Sequence, residues 1–468
     1  MTRMLVPSRP LDEREESLLK ELLEVWKSNL DKNQVRRKYY DSKNKLKDLG
    51  IALPPSLERK IQVAVGWPAK AVDSLAERSR FDGFALDDDV LQREVFNIFD
   101  DNNFRLKYPQ LTTNQLIHTC SFLVVSRGGR GEPDILISGY SAENAAARWC
   151  YRTNRILDGI TLPEIDDGKP AAINLYLQNQ IVEIVVDGRD YVVARRHFHR
   201  YGVPLMVALP YQPSLDRPFG RARISRVVMS LTDSAVRTAM RSEVGAEFYT
   251  YPQRYLLGIT DKATRDEFKA WIGGYLALGT NEEGENPSIG QLAPAGIEGH
   301  ISQMRSLATQ FSGETGVPVS SLGVISDNPS SAEAIHAARE DLILKAEDLN
   351  EINGQALRSL GLMVLALRYN TPIARLSSAH RSITPRFKNP ALPSPAARAD
   401  ALLKLTQAFP WLSQSNVALE FAGFSESDIK RMANDREEAG IEDILRRISQ
   451  MPDEGALSGG DAHSSDAL

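Results

Sequence analysis

Between residues 315 and 335 the chain runs Thr315-Gly316-Val317-Pro318-Val319-Ser320-Ser321-Leu322-Gly323-Val324-Ile325-Ser326-Asp327-Asn328-Pro329-Ser330-Ser331-Ala332-Glu333-Ala334-Ile335, an irregular segment that passes directly into a helical pattern. Ser330 to Glu333 has the form of a capping box, in which Ser330 accepts from the Glu333 amide and the Glu333 carboxylate reaches back. From there Ile335, Ala338, Leu342, Ala346, Leu349, Ile352, Ala356, Leu360 and Met363 step by three or four, predicting one helix as far as Asn370, where Thr371-Pro372 stops it. At about 1.5 Å per residue it would span roughly 60 Å, with Gly354 and Gly361 as points where it could bend. The irregular segment is long for a helix connection, and long loops tend to be functional or disordered. No Lys or Arg occurs between Arg305 and Arg339.

Upstream, residues 12–49 predict a helix with Leu18, Leu19, Leu22, Leu23, Val25 and Trp26 at helical spacing, and Arg36 to Tyr40 as a solvated basic and aromatic face. Pro54-Pro55 breaks the chain before a second helix over 57–78. Residues 90–126 read as helical and then extended. From Phe122 to Val207 the period falls to two, with strands at 135–137, 173–177, 181–186 and 191–194 and a tight turn at Asp187-Gly188. After the Pro-rich stretch 203–220, Ile224, Val227, Val228, Leu231, Ala235 and Ala239 form one helical stripe. Residues 251–298 read as a small mixed module, with strands at 255–257 and 275–278 and an acidic loop at 281–286. A helix is expected at about 299–312. Beyond the linker 372–396, helices are expected at about 396–409, 425–438 and 441–450, then a disordered tail over 452–468.

The chain has 468 residues and a formal charge of −5, so it carries no overall basic footprint and a sequence-reading DNA binder is disfavoured. Its two cysteines, Cys120 and Cys150, cannot build a disulfide framework; both are expected to be buried thiols, as suits a reducing cytoplasm. No signal peptide and no run of about 18 apolar residues is found, so no membrane span is expected. The P-loop, Gly-x-Gly-x-x-Gly and Gly-x-Ser-x-Gly signatures are absent. His197 and His199 alternate on one strand but lie among arginines and read as a polar strand end. Asp87 to Asp89 and Asp100-Asp101 are carboxylate clusters. Pro133-Asp134 with Asp167-Gly168-Lys169 mimics a metal-dependent nuclease pattern, although Asp166-Asp167-Gly168 reads more simply as a turn.

Several colinear stretches resemble the portal proteins of long-tailed bacteriophages. They are Tyr39-Tyr40, Val72 to Arg78, Tyr201-Gly202-Val203-Pro204-Leu205 leading to Phe219-Gly220, and Thr315 to Ile335 running on into Glu340 to Glu347. The resemblance implies an α+β, mainly helical protomer that assembles into a ring, typically of twelve. Its parts would be a wing (1–220), two stem helices (221–250 and 299–313), a clip (251–298), a tunnel loop (314–329), a long helix (330–370) and a helical crown (371–451). It further implies that Val317, Pro318, Val319, Ser320, Ser321, Leu322, Gly323, Val324, Ile325, Ser326, Asp327 and Asn328 line a DNA channel, and that Glu282, Glu283 and Glu285 of the clip meet partners. Those partners would be the terminase large subunit, then a head–tail adaptor, with major capsid or scaffolding protein around the ring. Double-stranded DNA would pass non-specifically. No cofactor, metal or catalytic residue is implied. The alternatives left open are a metal-dependent phage nuclease and a generic capsid or scaffold protein.

Overall fold

The computed structural model describes residues 10–44, 63–188, 190–250, 254–257, 288–291, 297–324, 332–391, 395–424, 428–429 and 431–436. It divides into two units, Met1–Pro390 and Ala391–Leu468. In the first, helix α1 (Glu13–Tyr40) opens on a capping box in which Asp12 accepts from the Glu15 amide and Glu15 accepts from the Asp12 amide. Then come α2 (Trp67–Ala76), β1 (Phe81–Ala85), α3 (Asp89–Asp101) and α4 (Phe104–His118). The strands β2 (Cys120–Arg127), β3 (Ile135–Ser141), β4 (Ala145–Cys150), β5 (Arg155–Asp166), β6 (Lys169–Tyr176), β7 (Gln180–Asp187), β8 (Asp190–Phe198) and β9 (Met206–Pro210) follow. Helix α5 (Arg226–Thr250), strands β10 (Arg254–Leu257) and β11 (Ser288–Gln291), helix α6 (Glu298–Thr315) and the long α7 (Ala332–Arg368) come next. A short α8 (Ser378–Arg381) and β12 (Thr384–Phe387) close the unit. The second unit holds α9 (Pro395–Ala408) and α10 (Asn416–Ala422), and among its described residues only Ala418 and Ile429 are buried apolar side chains.

Three apolar clusters organise the first unit. Strands β4 to β8 form an antiparallel meander, and α1 lays Leu19, Leu22 and Trp26 on its apolar face of Ile160, Leu162, Ile173, Leu175, Val182 and Ile184. The Arg196 guanidinium grips Glu15 in a two-pronged ion pair (2.7 and 2.8 Å) that ties the start of α1 to β8. The sheet β3-β2-β9 packs with α4 and the C-terminal half of α7 into a second cluster. There Asn353, 0% exposed on α7, bonds the Tyr108 hydroxyl (2.9 Å) and exchanges two bonds with Gln115 (2.8 and 3.2 Å), so its buried amide is satisfied. The third cluster joins α2, the start of α5, the end of α6 and the N-terminal half of α7.

The anticipated strands fall on β3, β6, β7 and β8, with only Leu177 beyond the end of β6. Gly188, at φ 64, closes the β7–β8 turn with Asp187 opposite Asp190. The long helix ends as expected but by a fuller device. Asn370 takes the left-handed conformation (φ 47), its amide bonds the Leu367 carbonyl, the Thr371 amide bonds that of Ala366, and Pro372 follows. Of its supposed bend points, Gly361 instead permits close packing, since a Cβ there would lie 2.5 Å from Ile383 Cδ1, and Gly354 faces Phe387 and Pro385 at 3.5–3.6 Å.

Three expectations are corrected. Helix α1 stops at Tyr40, not residue 49, where the Tyr39 and Tyr40 hydroxyls bond Asp233 (2.8 Å) and Asp73 (2.9 Å). Of the helix expected over 57–78, residues 57–62 lie outside the described residues, 63–66 are not helical, and α2 runs from Trp67, with Pro68 suited to its first turn, to Ala76. Cys120 is buried, its thiol pushed up to about 12 by burial, but Cys150 is half-exposed. The strand expected at 255–257 is present and pairs with Ser288–Gln291, a strand the sequence pattern did not indicate; residues 275–278 and 281–286 lie outside the described residues, as do Ser330 and Ser331 of the capping box.

Acid should loosen this unit. Burial holds His118 below the ordinary histidine range, and the bond from Arg196 holds Glu15 below the ordinary carboxylate range. Both folded values are depressed, so unfolding takes up protons as pH falls, first below about 6.5 through His118 and then below about 4.3 through Glu15. Calorimetric Tm should stay level from pH 8 to 7 and fall progressively toward pH 4. A Tm that is flat over that range would contradict the assignment.

Candidate functional site

Helix α6 ends where Gly316 turns left-handed (φ 74) and its amide bonds the Ser312 carbonyl. Gly316 is required twice over, because a Cβ there would also come within 2.2 Å of Asp341 Oδ2 on α7. Val317 follows, 0% exposed, and Pro318 leads into a 3-10 turn over Val319–Leu322, which Gly323 closes at φ 78. Ser320, Ser321 and Gly323 are exposed, whereas Leu322 is buried and Pro318, Val319 and Val324 are half-buried. Val317 and Leu322, expected to line a channel, thus belong to the protomer's own core: their aliphatic side chains complete the cluster of Trp67, Phe311, Leu342 and Ala346. Ile325, Ser326, Asp327 and Asn328 lie outside the described residues, as do Glu282, Glu283 and Glu285.

Both ends of the described loop are held from α2. The Trp67 indole N–H donates to the Leu322 carbonyl at 3.1 Å while its ring packs on Phe311, centroids 5.3 Å apart. Arg223, 6% exposed, donates through Nε to the Ala71 carbonyl (2.6 Å), through Nη2 to the Thr315 carbonyl (2.7 Å) and through Nη1 to the Tyr211 hydroxyl (3.0 Å). Its own amide donates to the Leu116 carbonyl (2.9 Å). One guanidinium therefore joins α2, the C-terminal end of α6 and the segment leading into α5. A cation is well placed at the negative end of α6. Neither Trp67 nor Arg223 belongs to a recognisable motif; a Trp beside Pro68 at a helix start is the only local signal.

The remaining candidates have local roles. Asp88 caps α3, accepting from the Val90 and Leu91 amides. Asp134 lies on the β2–β3 connection, 3.9 Å from Arg368, and Asp167 takes φ 45 in the β5–β6 turn, so each is accounted for separately. His197 pairs with Glu183 at 2.8 Å, and His199 stacks on Tyr201, burial pushing its ring down to about 4. Among the described residues no group of three His, Cys, Asp or Glu could hold a metal, and no helix is long and apolar enough to cross a membrane.

Around this loop between α6 and α7 no catalytic constellation is assembled among the described residues. Residues 19–441 match the family described as phage portal protein, SPP1 Gp6-like. The chain belongs to this portal protein family, a structural family of virion components. It is 27% identical to the portal protein of Mycobacterium phage D29 over 430 residues, 88% of this chain and 87% of the relative. It is also 27% identical to that of Mycobacterium phage L5 over 382 residues, 78% and 77%. Among solved structures it is similar to a chain of the virion of a native gene transfer agent particle (13% identity, TM-score 0.40, covering 78% of this chain and 89% of that one). A chain of the neck of an empty particle of the same kind, computed with C6 symmetry, gives 14% identity and TM-score 0.44, covering 76% and 89%.

Proposed function

We propose that this portal protein forms a closed ring, typically twelve-fold, at one capsid vertex, through which double-stranded DNA enters during packaging and leaves on ejection. The observation that carries the reading is the family match running colinearly from residue 19 to 441. On it, the wing is residues 1–220, the stem is α5 and α6, the clip is 251–298, the long helix is α7, and a helical crown occupies 371–451. The chain is made in the host cytoplasm and incorporated into the virion, where it meets major capsid or scaffolding protein. The ring has no catalytic step, cofactor or resident metal.

Within this reading the tunnel loop divides. Val317 and Leu322 anchor it, and Ser320, Ser321 and the residues from Gly323 to Asn328 meet DNA. A channel passing DNA both ways must not hold phosphate, and each Lys or Arg on the path would add a salt-dependent sticking contribution. The absence of cations from 306 to 338 suits that requirement. Negative-stain imaging of the purified chain tests the reading: closed rings with a central hole support it, and open shells would favour a generic capsid or scaffold protein.

The clip would dock the terminase large subunit and later the adaptor. Replacing Glu282, Glu283 and Glu285 together by Lys should reduce terminase capture by rings about tenfold or more, since like-charge contacts at an interface cost several kcal/mol. Pull-down on intact rings measures this, and unchanged capture would place the docking surface elsewhere.

A further inference from the structure

An apolar groove of about 1070 Å³ runs beside α7, with Trp149, Ile156, Met206, Pro210, Ile352 and Met363 among its lining. Leu215, 94% exposed, stands at its lip. Arg152, Arg155 and Arg217 are exposed on or beside the turns that border it, against Asp216 and Glu351. The groove thus joins an apolar floor to a cationic rim.

A complementary feature lies on the other side of the same helix. Ile352 and Ser359 of α7 line the groove, whereas Gly361 approaches Phe84 of β1 and Arg368 bonds Glu94 of α3 at 2.5 Å. Helix positions nine apart point in opposite directions, because about 3.6 residues make a turn. The α3 corner therefore stands across α7 from the groove. It exposes Val90 (73%), Phe96 (43%) and Leu106 (65%), and its exposed carboxylates Asp87, Asp88, Asp89, Asp100 and Asp101 outnumber Arg93 and Arg105.

We infer that the groove of one protomer receives the α3 corner of a second copy of this chain. Apolar surface meets apolar surface, and the acidic corner meets the arginine rim. A patch and its complement on opposite sides of one chain make a heterologous contact, the kind that closes into rings. The inference rests on the ring reading and names which surfaces close it.

Two variants of the full chain test it. D89K/D100K reverses the corner and R155E/R217E reverses the rim, and circular dichroism and Tm confirm that each folds. Each alone should remain unassembled by mass photometry at concentrations where wild type forms rings. Mixed in equal amounts they should assemble, because in an alternating ring every Lys-bearing corner meets a Glu-bearing rim and every native corner meets a native rim. Assembly of either variant alone at the wild-type concentration, or no assembly on mixing folded variants, would overturn the pairing while leaving the ring reading intact. Failure of wild type itself to form rings would overturn the ring reading. Should a charge variant misfold, N97C/T153C in a chain whose neighbouring Cys150 is replaced by Ser serves instead: oxidation should give a ladder of cross-linked subunits, and monomer alone under denaturing conditions would overturn the pairing.

Discussion

Arg223→Met is expected to lower the stability of the first unit by about 2–4 kcal/mol, the range for stranding buried acceptors that a cation had satisfied. The Thr315 carbonyl and the Tyr211 hydroxyl would each lose the charged donor, and the Ala71 carbonyl would keep only its own helix. Arg223→Lys should recover only part of the loss, because one ammonium cannot match three acceptors set around a planar fork. Urea unfolding followed by far-UV circular dichroism measures this as a shift in midpoint at unchanged slope. A Met variant as stable as wild type would show that the guanidinium does not hold the loop root.

Replacing Ser320 and Ser321 by Lys is expected to have the largest functional effect. Both are exposed beyond the anchored Val317, so the change should spare folding and assembly. In a ring, two lysines per subunit would encircle the DNA path. Each one that reaches a phosphate adds about one unit to the dependence of log affinity on log salt. Packaging should slow or stall, most at low salt. Packaged DNA length per capsid across a salt series is the readout, and normal packaging at every salt concentration would remove Ser320 and Ser321 from the DNA path.

The parts of the fold legible in sequence were those held by local signals. The stop of α7 was visible because Thr371-Pro372 cannot continue a helix, and β6, β7 and β8 because their alternation is regular around Asp187-Gly188. Strands β4 and β5 were hidden: Ala145 to Ala147 carry little β signal, and Gly159 and the bulges between Thr161 and Ile165 break the alternation of β5. The pairing of β1 with β12 joins Phe81 to Phe387 across nearly the whole unit, a contact no local pattern encodes.

The site divides in the same way. Its place between α6 and α7 and its freedom from cations are properties of sequence. That Val317 and Leu322 turn inward depends on Trp67 and Arg223, which are about 250 and 90 residues away in the chain and reach the loop only once α2 is packed beneath it. An aliphatic residue in a loop reads alike from sequence whether it faces a channel or a core, and the neighbouring helix decides which.

Copies of this chain are expected to close into a ring, and multi-angle light scattering on purified protein measures that closure. One species of about twelve subunit masses is expected, held from low micromolar concentration upward. A single monomeric mass at micromolar concentration, unchanged from low to high salt, would contradict it.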